Sequence, residues 1–368
     1  MVLRGIVAST RIITNRMSAY THAVASLSTS APSSPISIPL YYYPSPTSST
    51  QVLARSLLPD HTVSPSLVPT PFAVMSSSQT SGLGTNSRVW LSPPGNLYLT
   101  FAIPATLLGV PEGGSIFAGS NPFPITLLPM QVGVLVHRAI ASLQSSLPPS
   151  FPPFLPLSLK WPNDVLCGGG KVAGVLIQSE VSPQTTTFLI GVGVNVTVAP
   201  PVPPSGPEVG RRSAKLLMPL ADADVAAFAD AAEQLSQPSE GTADGGAAAA
   251  SAVVVVVLAD SSEAVTPPPA APNDELVRRL GSLLVGEMKD WLQGLSSGVR
   301  VEPRAVTEAF ARHVDFETEL VMRPERMGGA ASEPNVRVVP RRIMPDGTLE
   351  VKVVETGEIK ILASEYTM

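Results

Sequence analysis

Lys160-Trp161-Pro162-Asn163-Asp164, followed seven residues after Asp164 by Lys171-Val172-Ala173-Gly174-Val175-Leu176, decides how the rest of this chain reads. Consecutive positions of the first block hold a cation, an indole, a proline of restricted φ, an amide and a carboxylate. The second block opens on another lysine and continues as a short apolar run of buried-strand type. A strand that only packs a core does not need this polar density, because each buried polar group must find a partner. The two blocks together read as a ligand site.

The flanks extend the strand reading. Val172 to Ile177 and Phe188 to Val196 are apolar runs separated by a polar turn region, as in a hairpin within a buried sheet. Gly174, Gly191 and Gly193 fall inside these runs, and interior glycine marks a place where a ligand or another backbone comes close. Upstream, Ser48-Ser49-Thr50-Gln51 precedes an apolar helical pattern at Val52, Leu53, Leu57 and Leu58, and serves either as an N-cap or as a ligand contact. Gly82 to Ser87 reads as a flexible loop, and Leu97 to Ile103 as a strand ended by Pro104. Helix spacing recurs from Leu127 to Leu143 through Leu128, Val132, Leu135, Val136, Ala139 and Ile140. His137 falls on that helix as a packed or surface side chain rather than a ligand.

Residues 199–272 are rich in Pro, Ala, Gly and Ser and read as a largely disordered insertion. Within it, the run Val253 to Leu258 is either an exposed aggregation hazard or a short strand docked on the core. An amphipathic helix resumes from Asn273 to Leu295, capped by Asn273 or Asp274, with Leu276, Leu280, Leu283, Leu284, Met288, Trp291 and Leu292 on its apolar side. A second helix covers Arg304 to His313. From Glu317 short strands separated by Pro345-Asp346-Gly347 and Glu355-Thr356-Gly357 turns indicate a small β-barrel.

With 368 residues, 39 of them proline and only 14% charged, the chain reads as ordered modules interrupted by segments that cannot fold. A net charge of −5 gives no electrostatic case for nucleic acid. The single cysteine, Cys167, excludes an internal disulfide and reads as an inert thiol, and His22, His61, His137 and His313 have no metal spacing. Arg4, Arg11, Arg16 and Arg55 all precede the first acidic residue, Asp60. Such a Ser-rich, acid-free opening predicts a transit peptide. No apolar run approaches the length that spans a membrane, so no membrane partner is expected.

The blocks resemble, in order, the catalytic core of biotin–protein ligases, also called holocarboxylase synthetases. Ser49-Thr50-Gln51 resembles the family's Ser-Thr-Asn-type segment. Gln79-Thr80-Ser81-Gly82-Leu83-Gly84, with Val89-Trp90-Leu91-Ser92-Pro93-Pro94-Gly95-Asn96, resembles its adenylate-binding loop and the strand after it. Lys160 to Asp164 with Lys171 to Leu176 resembles its most diagnostic segment, and Gly191-Val192-Gly193-Val194-Asn195 its Gly-x-Gly-x-Asn strand. The likeness covers residues 40–200 and 273–368.

The resemblance implies an α+β fold of class II synthetase-like, biotin/lipoate-ligase type: a mixed sheet flanked by helices, with a small C-terminal SH3-like β-barrel. The expected division is a transit peptide over 1–35, a catalytic domain over 36–200 and 273–315, the insertion over 201–272, and the barrel over 316–368. The implied activity is that of a biotin–[biotin carboxyl-carrier protein/carboxylase] ligase. It activates biotin with MgATP to biotinyl-5′-adenylate and transfers it to a lysine on biotin-carrier domains of carboxylases. Its catalytic residues would be Lys171, Lys160, Asp164 and Asn163. Ser49, Thr50, Gln51, Gln79, Lys171 and Gly174 would bind biotin. Gly82, Gly84, Thr85, Arg88, Trp90, Asn163 and Asn195 would bind ATP and the adenylate, with Asn195 and Asp164 near Mg2+. The transit-like opening points to a plastid or mitochondrion, with the cytosol as the other compartment.

One departure stands out. The family's loop commonly reads Gly-Arg-Gly-Arg or Gly-Lys-Gly-Arg, whereas this chain has Gly82-Leu83-Gly84-Thr85, with Arg88 three residues on. Two neutral side chains where cations are usual predict weaker retention of the adenylate. Two other readings stay open: a lipoate–protein ligase of the same fold, and a pseudoenzyme that binds biotin or carrier without turnover. A P-loop reading of Gly168-Gly169-Gly170-Lys171 fails, because Val165 stands at the first glycine position and Val172 at the hydroxyl position. No helix-turn-helix block precedes the catalytic region.

Overall fold

Alternation along the central strands explains why one sheet can be covered on both faces. The computed structural model describes residues 35–58, 70–85, 88–116, 118–149, 151–182, 185–201, 212–217, 255–257, 272–296, 300–330 and 333–364. Its elements run β1 (Leu40–Tyr43), α1 (Thr50–Ser56), β2 (Phe72–Ser76), β3 (Leu97–Pro104), α2 (Leu128–Ser146), β4 (Leu157–Lys160), β5 (Asp164–Cys167), β6 (Gly170–Val181), β7 (Thr186–Val194) and β8 (Val255–Val257). Then come α3 (Pro272–Leu295), α4 (Pro303–Ala311), β9 (Leu320–Met322), β10 (Val336–Ile343), β11 (Leu349–Val353) and β12 (Ile359–Leu362).

The first eight strands form a mixed sheet in the order β4-β5-β6-β7-β3-β2-β1-β8, with β1 parallel to both β2 and β8 and the other pairs antiparallel. Ala73 and Met75 with Leu97, Leu99, Phe101 and Ile103 join the large core under α2 and α3. Their alternates Phe72, Val74 and Ala102 join Ala54 of α1 in a small cluster on the other face. The period of two is thus written into β2 and β3 themselves.

Helix α3 seats Leu276, Leu280, Leu284, Met288 and Leu292 in the core at steps of four. Truncating one of these to alanine costs about 2–5 kcal/mol. The helix begins at Pro272, so Asn273 and Asp274 lie in its first turn rather than at the cap, where Asp274 and Glu275 face the positive end of the helix dipole. The expectation that no stretch reaches spanning length needs one correction. Residues Ile125–Ser146 form a helix long and apolar enough by that measure, with a mean hydropathy of 1.3 over a window that is 61% buried. Packing of α2 against both the sheet and α3 accounts for that apolarity, since Leu135, Val136, Ala139, Ile140 and Leu143 all lie in the core.

Within the Pro/Ala-rich segment, residues 212–217 and 255–257 are described and join the sheet. Val255–Val257 pairs in parallel with β1 as the outermost strand, which decides the docked alternative for that run. Leu216 and Leu217 are core residues, tied by their amides to the Asn195 and Val196 carbonyls. Residues 202–211, 218–254 and 258–271 of that segment and the N-terminal 34 residues, which hold all but the last residue of the expected transit peptide, lie outside the described residues.

Strands β9 to β12 form a separate antiparallel sheet in the order β12-β11-β10-β9, consistent with an SH3-like module. Its Val338, Leu349, Val351, Val353 and Leu362 belong to the same hydrophobic cluster as Leu159 and Trp161. The buried Trp161 indole N–H donates to the Gly347 carbonyl at 2.9 Å, linking the diagnostic segment to the module's Pro345-Asp346-Gly347 turn.

His137 on α2 stacks on His313 after α4, with ring centroids 4.1 Å apart. Burial first, and then the His313 ring, hold the His137 imidazole down from 6.5 to about 4, and burial also lowers His313. The unfolded chain therefore binds protons that the fold refuses. Stability from His137 is complete above its ordinary value of 6.5 and is lost as pH falls through that value toward about 4. Allowing for the ring's partial exposure, the loss is about 1–2 kcal/mol. Thermal denaturation between about pH 7 and pH 5 should show that decline, and His137→Gln should flatten it.

Candidate active site

Strand register assembles the site on the α1 face of the sheet. Lys160 pairs with Asp164, Asp164 with Gly174, Gly174 with Gly193 and Gly193 with Tyr98, so one row of residues crosses five strands. Two residues along, Leu176, Gly191 and Thr100 form the next row on the same face. The glycines leave a trough that side chains enter. A Cβ on Gly193 would sit 2.6 Å from the Trp90 ring, one on Gly174 would sit 3.1 Å from the Lys171 ammonium, and one on Gly191 would sit 2.8 Å from the Gln51 amide nitrogen. The close approach expected at these glycines is therefore made by side chains that themselves line a cavity.

The charged end is built on β5 and β6. Lys171 Nζ lies 2.6 Å from Asp164 Oδ1, and 5.2 Å from the centroid of the Trp90 ring. Both partners are largely withdrawn from water, so the pair is far less screened than a surface ion pair. Asn163 is held by its backbone and side chain together: its carbonyl accepts from the Val175 amide, and its Nδ2 donates to the Val175 carbonyl at 2.7 Å. Asn195 donates through Nδ2 to Ala214 O and Ser213 Oγ, fastening the chain after β7 to the site.

The opposite wall is a polar relay. Ser49 caps α1 by accepting from the Gln51 amide, so of the two roles left open for the hydroxyl cluster it performs the first. The Thr50 amide and hydroxyl both donate to Gln79 Oε1, the Thr100 hydroxyl donates to Thr50 Oγ1, Gln79 Nε2 donates to Ser92 Oγ, and Ser92 donates to the Trp90 carbonyl. Gln51 Nε2 donates to the Leu176 carbonyl across the trough. Of the five buried side-chain atoms without a hydrogen-bond partner among the described residues, Gln51 Oε1, Trp90 Nε1 and Asn195 Oδ1 belong to residues that line the cavity, and Thr47 Oγ1 and Asn121 Oδ1 do not. Buried polar atoms of this kind call for a polar ligand.

Gly82–Gly84 and Arg88–Trp90 run antiparallel, with Leu83 bridged to Val89 and the Trp90 amide donating to the Gly82 carbonyl. The Arg88 guanidinium donates to the carbonyl and hydroxyl oxygens of Thr85, so this arginine is engaged inside its own loop.

Ser49, Thr50, Gln51, Gln79, Gly84, Thr85, Arg88, Trp90, Asn163, Lys171, Gly174 and Asn195 all line the cavity. Lys160, Asp164 and Gly82 do not. Lys160 shares the face but lies on the edge strand β4, opposite Asp164 and beyond β5. Asp164 reaches the site through Lys171, and Gly82 packs beneath the Trp90 carbonyl. Tyr98, Arg212 and Ser213 also line the cavity and were not anticipated. Tyr98 is visible only once register is known, and Arg212 and Ser213 fall in a segment whose composition reads as disorder.

Residues 48–195 match the family described as Biotin/lipoate A/B protein ligase family. A biotin–[acetyl-CoA-carboxylase] ligase of Paracoccus denitrificans is 36% identical over 128 residues, 34% of this chain and 45% of that protein. A biotin–protein ligase of Homo sapiens is 33% identical over 129 residues, 35% of this chain and 16% of that protein. The alignments thus span less than half the length of these relatives. Among solved structures, the biotin protein ligase of Leishmania major in complex with biotinyl-5-AMP superposes with a TM-score of 0.46 at 19% identity, covering 90% of this chain and 100% of that one. The likeness to the biotin/lipoate A/B protein ligase family is thus carried by residues 48–195 of this chain.

Proposed function

We propose that the protein is a biotin–protein ligase that activates biotin with ATP and transfers it to a lysine of biotin-carrier domains of carboxylases. One observation carries this reading: the Lys171–Asp164 pair lies against Trp90 in a cavity whose other wall presents Thr50, Gln51 and Gln79. Joining two anions requires a fixed cation where they meet, and Lys171 supplies it. The ureido group of biotin needs donors and acceptors within an otherwise apolar slot, which suits Gln51 and its unpartnered Oε1. In the first step a carboxylate oxygen of biotin bonds to the α-phosphorus and pyrophosphate leaves. In the second the carrier amine attacks the carbonyl of the mixed anhydride and AMP leaves, the amine proton passing to water while Asp164 fixes Lys171 at the reacting end. Mg2+ would accompany the phosphates. Asn195 Oδ1 is an oxygen donor of the type that ion takes, although no cluster of three His, Cys, Asp or Glu side chains suited to a metal occurs among the described residues. The arginine-bearing, acid-free opening before Asp60 supports delivery to a plastid or mitochondrion, with the cytosol as the alternative.

The test is intact mass of biotin-carrier and lipoyl-carrier domains after incubation with the protein, MgATP and either biotin or lipoate. A biotin-sized shift on the biotin carrier alone is expected. A shift on the lipoyl carrier alone would replace this reading with lipoate ligation, and no shift with biotin still bound would make the protein a non-catalytic binder. In the active enzyme, Thr85→Arg should slow release of biotinyl-adenylate about tenfold, read in single turnover without acceptor, because a guanidinium there adds a charge-assisted contact to the adenylate.

A further inference from the structure

We propose that Arg212 is the cation that holds the phosphates beyond the α-phosphate of the nucleotide, a role carried by a residue outside the matched segment 48–195. This inference rests on the ligase reading and deepens it.

Among the described residues, the other cations on the cavity wall are Lys171 and Arg88, and each already has a protein partner. Lys171 pairs with Asp164, and Arg88 is bonded to Thr85. Leu83 and Thr85 bring no charge to the loop. Arg212 lines the same cavity and is exposed there, and no carboxylate lies against it among the described residues. Its guanidinium donates to the Gly168 carbonyl, which leaves most of its five N–H donors available. Its backbone is anchored to the charged end of the site. The Lys171 amide donates to the Arg212 carbonyl at 2.8 Å, the Ala214 amide donates to the Lys171 carbonyl at 2.9 Å, and Ser213 accepts from Asn195. Arg212 is therefore fixed beside Lys171 and next to the residue that Asn195 holds, on the same cavity wall, where phosphates extending from an α-phosphorus at Lys171 would meet it.

The chemistry suits that position. As the carboxylate oxygen bonds to the α-phosphorus, the bond from the α-phosphorus to the oxygen bridging it to the β-phosphorus breaks, and its electron pair leaves with pyrophosphate. A planar guanidinium that meets two phosphate oxygens at once stabilises this growing charge better than a point cation does.

Three variants of the full chain separate this role from that of a strap on the Gly168 carbonyl. Arg212→Ala should raise the KM for ATP and for pyrophosphate in biotin-dependent ATP–pyrophosphate exchange by about ten- to a hundredfold. The biotin Kd from calorimetry should stay within about twofold of wild type, since Lys171, Gln51 and Trp90 are untouched. Arg212→Gln keeps a donor for the Gly168 carbonyl but loses the charge, so it should behave like Arg212→Ala, and Arg212→Lys should recover part of the loss. Binding of inorganic pyrophosphate alone, by calorimetry, should follow the same order. Wild-type values in Arg212→Gln, or equal loss of biotin and pyrophosphate binding in Arg212→Ala, would overturn the proposal. If the unaltered protein performs no exchange yet binds pyrophosphate through Arg212, the ligase reading falls and the phosphate site stands.

Discussion

Lys171→Met is expected to lower the rate of biotin adenylation by about a hundred- to a thousandfold, the loss seen when one fixed electrostatic donor is removed from a water-poor site. The substitution also uncouples Asp164, whose side chain is only 9% exposed. Breaking a buried pair by deleting one partner costs about 3–5 kcal/mol in full burial, and less here because the Lys171 side chain keeps 24% of its exposure. Activity and stability should therefore fall together in Lys171→Met. The double variant Lys171→Met/Asp164→Asn should recover stability in thermal denaturation and still fail to form adenylate in single turnover. Recovery of adenylation in the double variant would mean that Lys171 only neutralises Asp164 and takes no part in the reaction.

Gly193→Ala should weaken biotin binding by about tenfold or more with little loss of fold stability. The added methyl would sit 2.6 Å from two atoms of the Trp90 indole, closer than real Cβ contacts come. Trp90 cannot retreat into the sheet, and its carbonyl is tied to Ser92 and through it to Gln79 and Thr50. Overpacking of this kind costs about 1–3 kcal/mol, and here most of it falls on the ligand pocket. A strand position gains β-propensity when glycine is replaced, which offsets part of the strain in the fold. Calorimetric titration with biotin and the emission of Trp90 should both report the change. Wild-type biotin affinity in Gly193→Ala would show that Trp90 does not wall the biotin slot.

The two predictions draw on different depths of information. Lys171 and Asp164 stand out in the bare sequence, because a lysine opening an apolar strand and a carboxylate after Trp-Pro-Asn are hard to explain as packing. Gly193 stands out as well, but the reason for it does not. An interior glycine signals that something comes close, and only the fold shows that Trp90 is what comes close. Lys160 is the opposite case. Its residue type and place in the motif suggest a phosphate contact, yet the edge position of β4 leaves it outside the cavity wall.

What the sequence determined by itself was whatever is local. The spacing of Leu276 to Leu292 makes α3, the alternation of Leu97 to Ile103 makes β3, the hydroxyl of Ser49 caps α1, and the motif residues fall near one another along the chain. Periodicity and capping act within a few residues, so they survive in a string of letters. The tertiary structure decided which of these pieces meet. Register across β4 to β3 sets Asp164, Gly174, Gly193 and Tyr98 in one row, and a slip of one residue would turn every one of them to the opposite face. It also brings Arg212 to Lys171, Val255–Val257 to β1 and Gly347 to Trp161, from segments whose composition announces no such contact. Pairings over that distance are chosen by the joint burial of whole faces, a sum over many strands and helices that no single stretch of the chain contains.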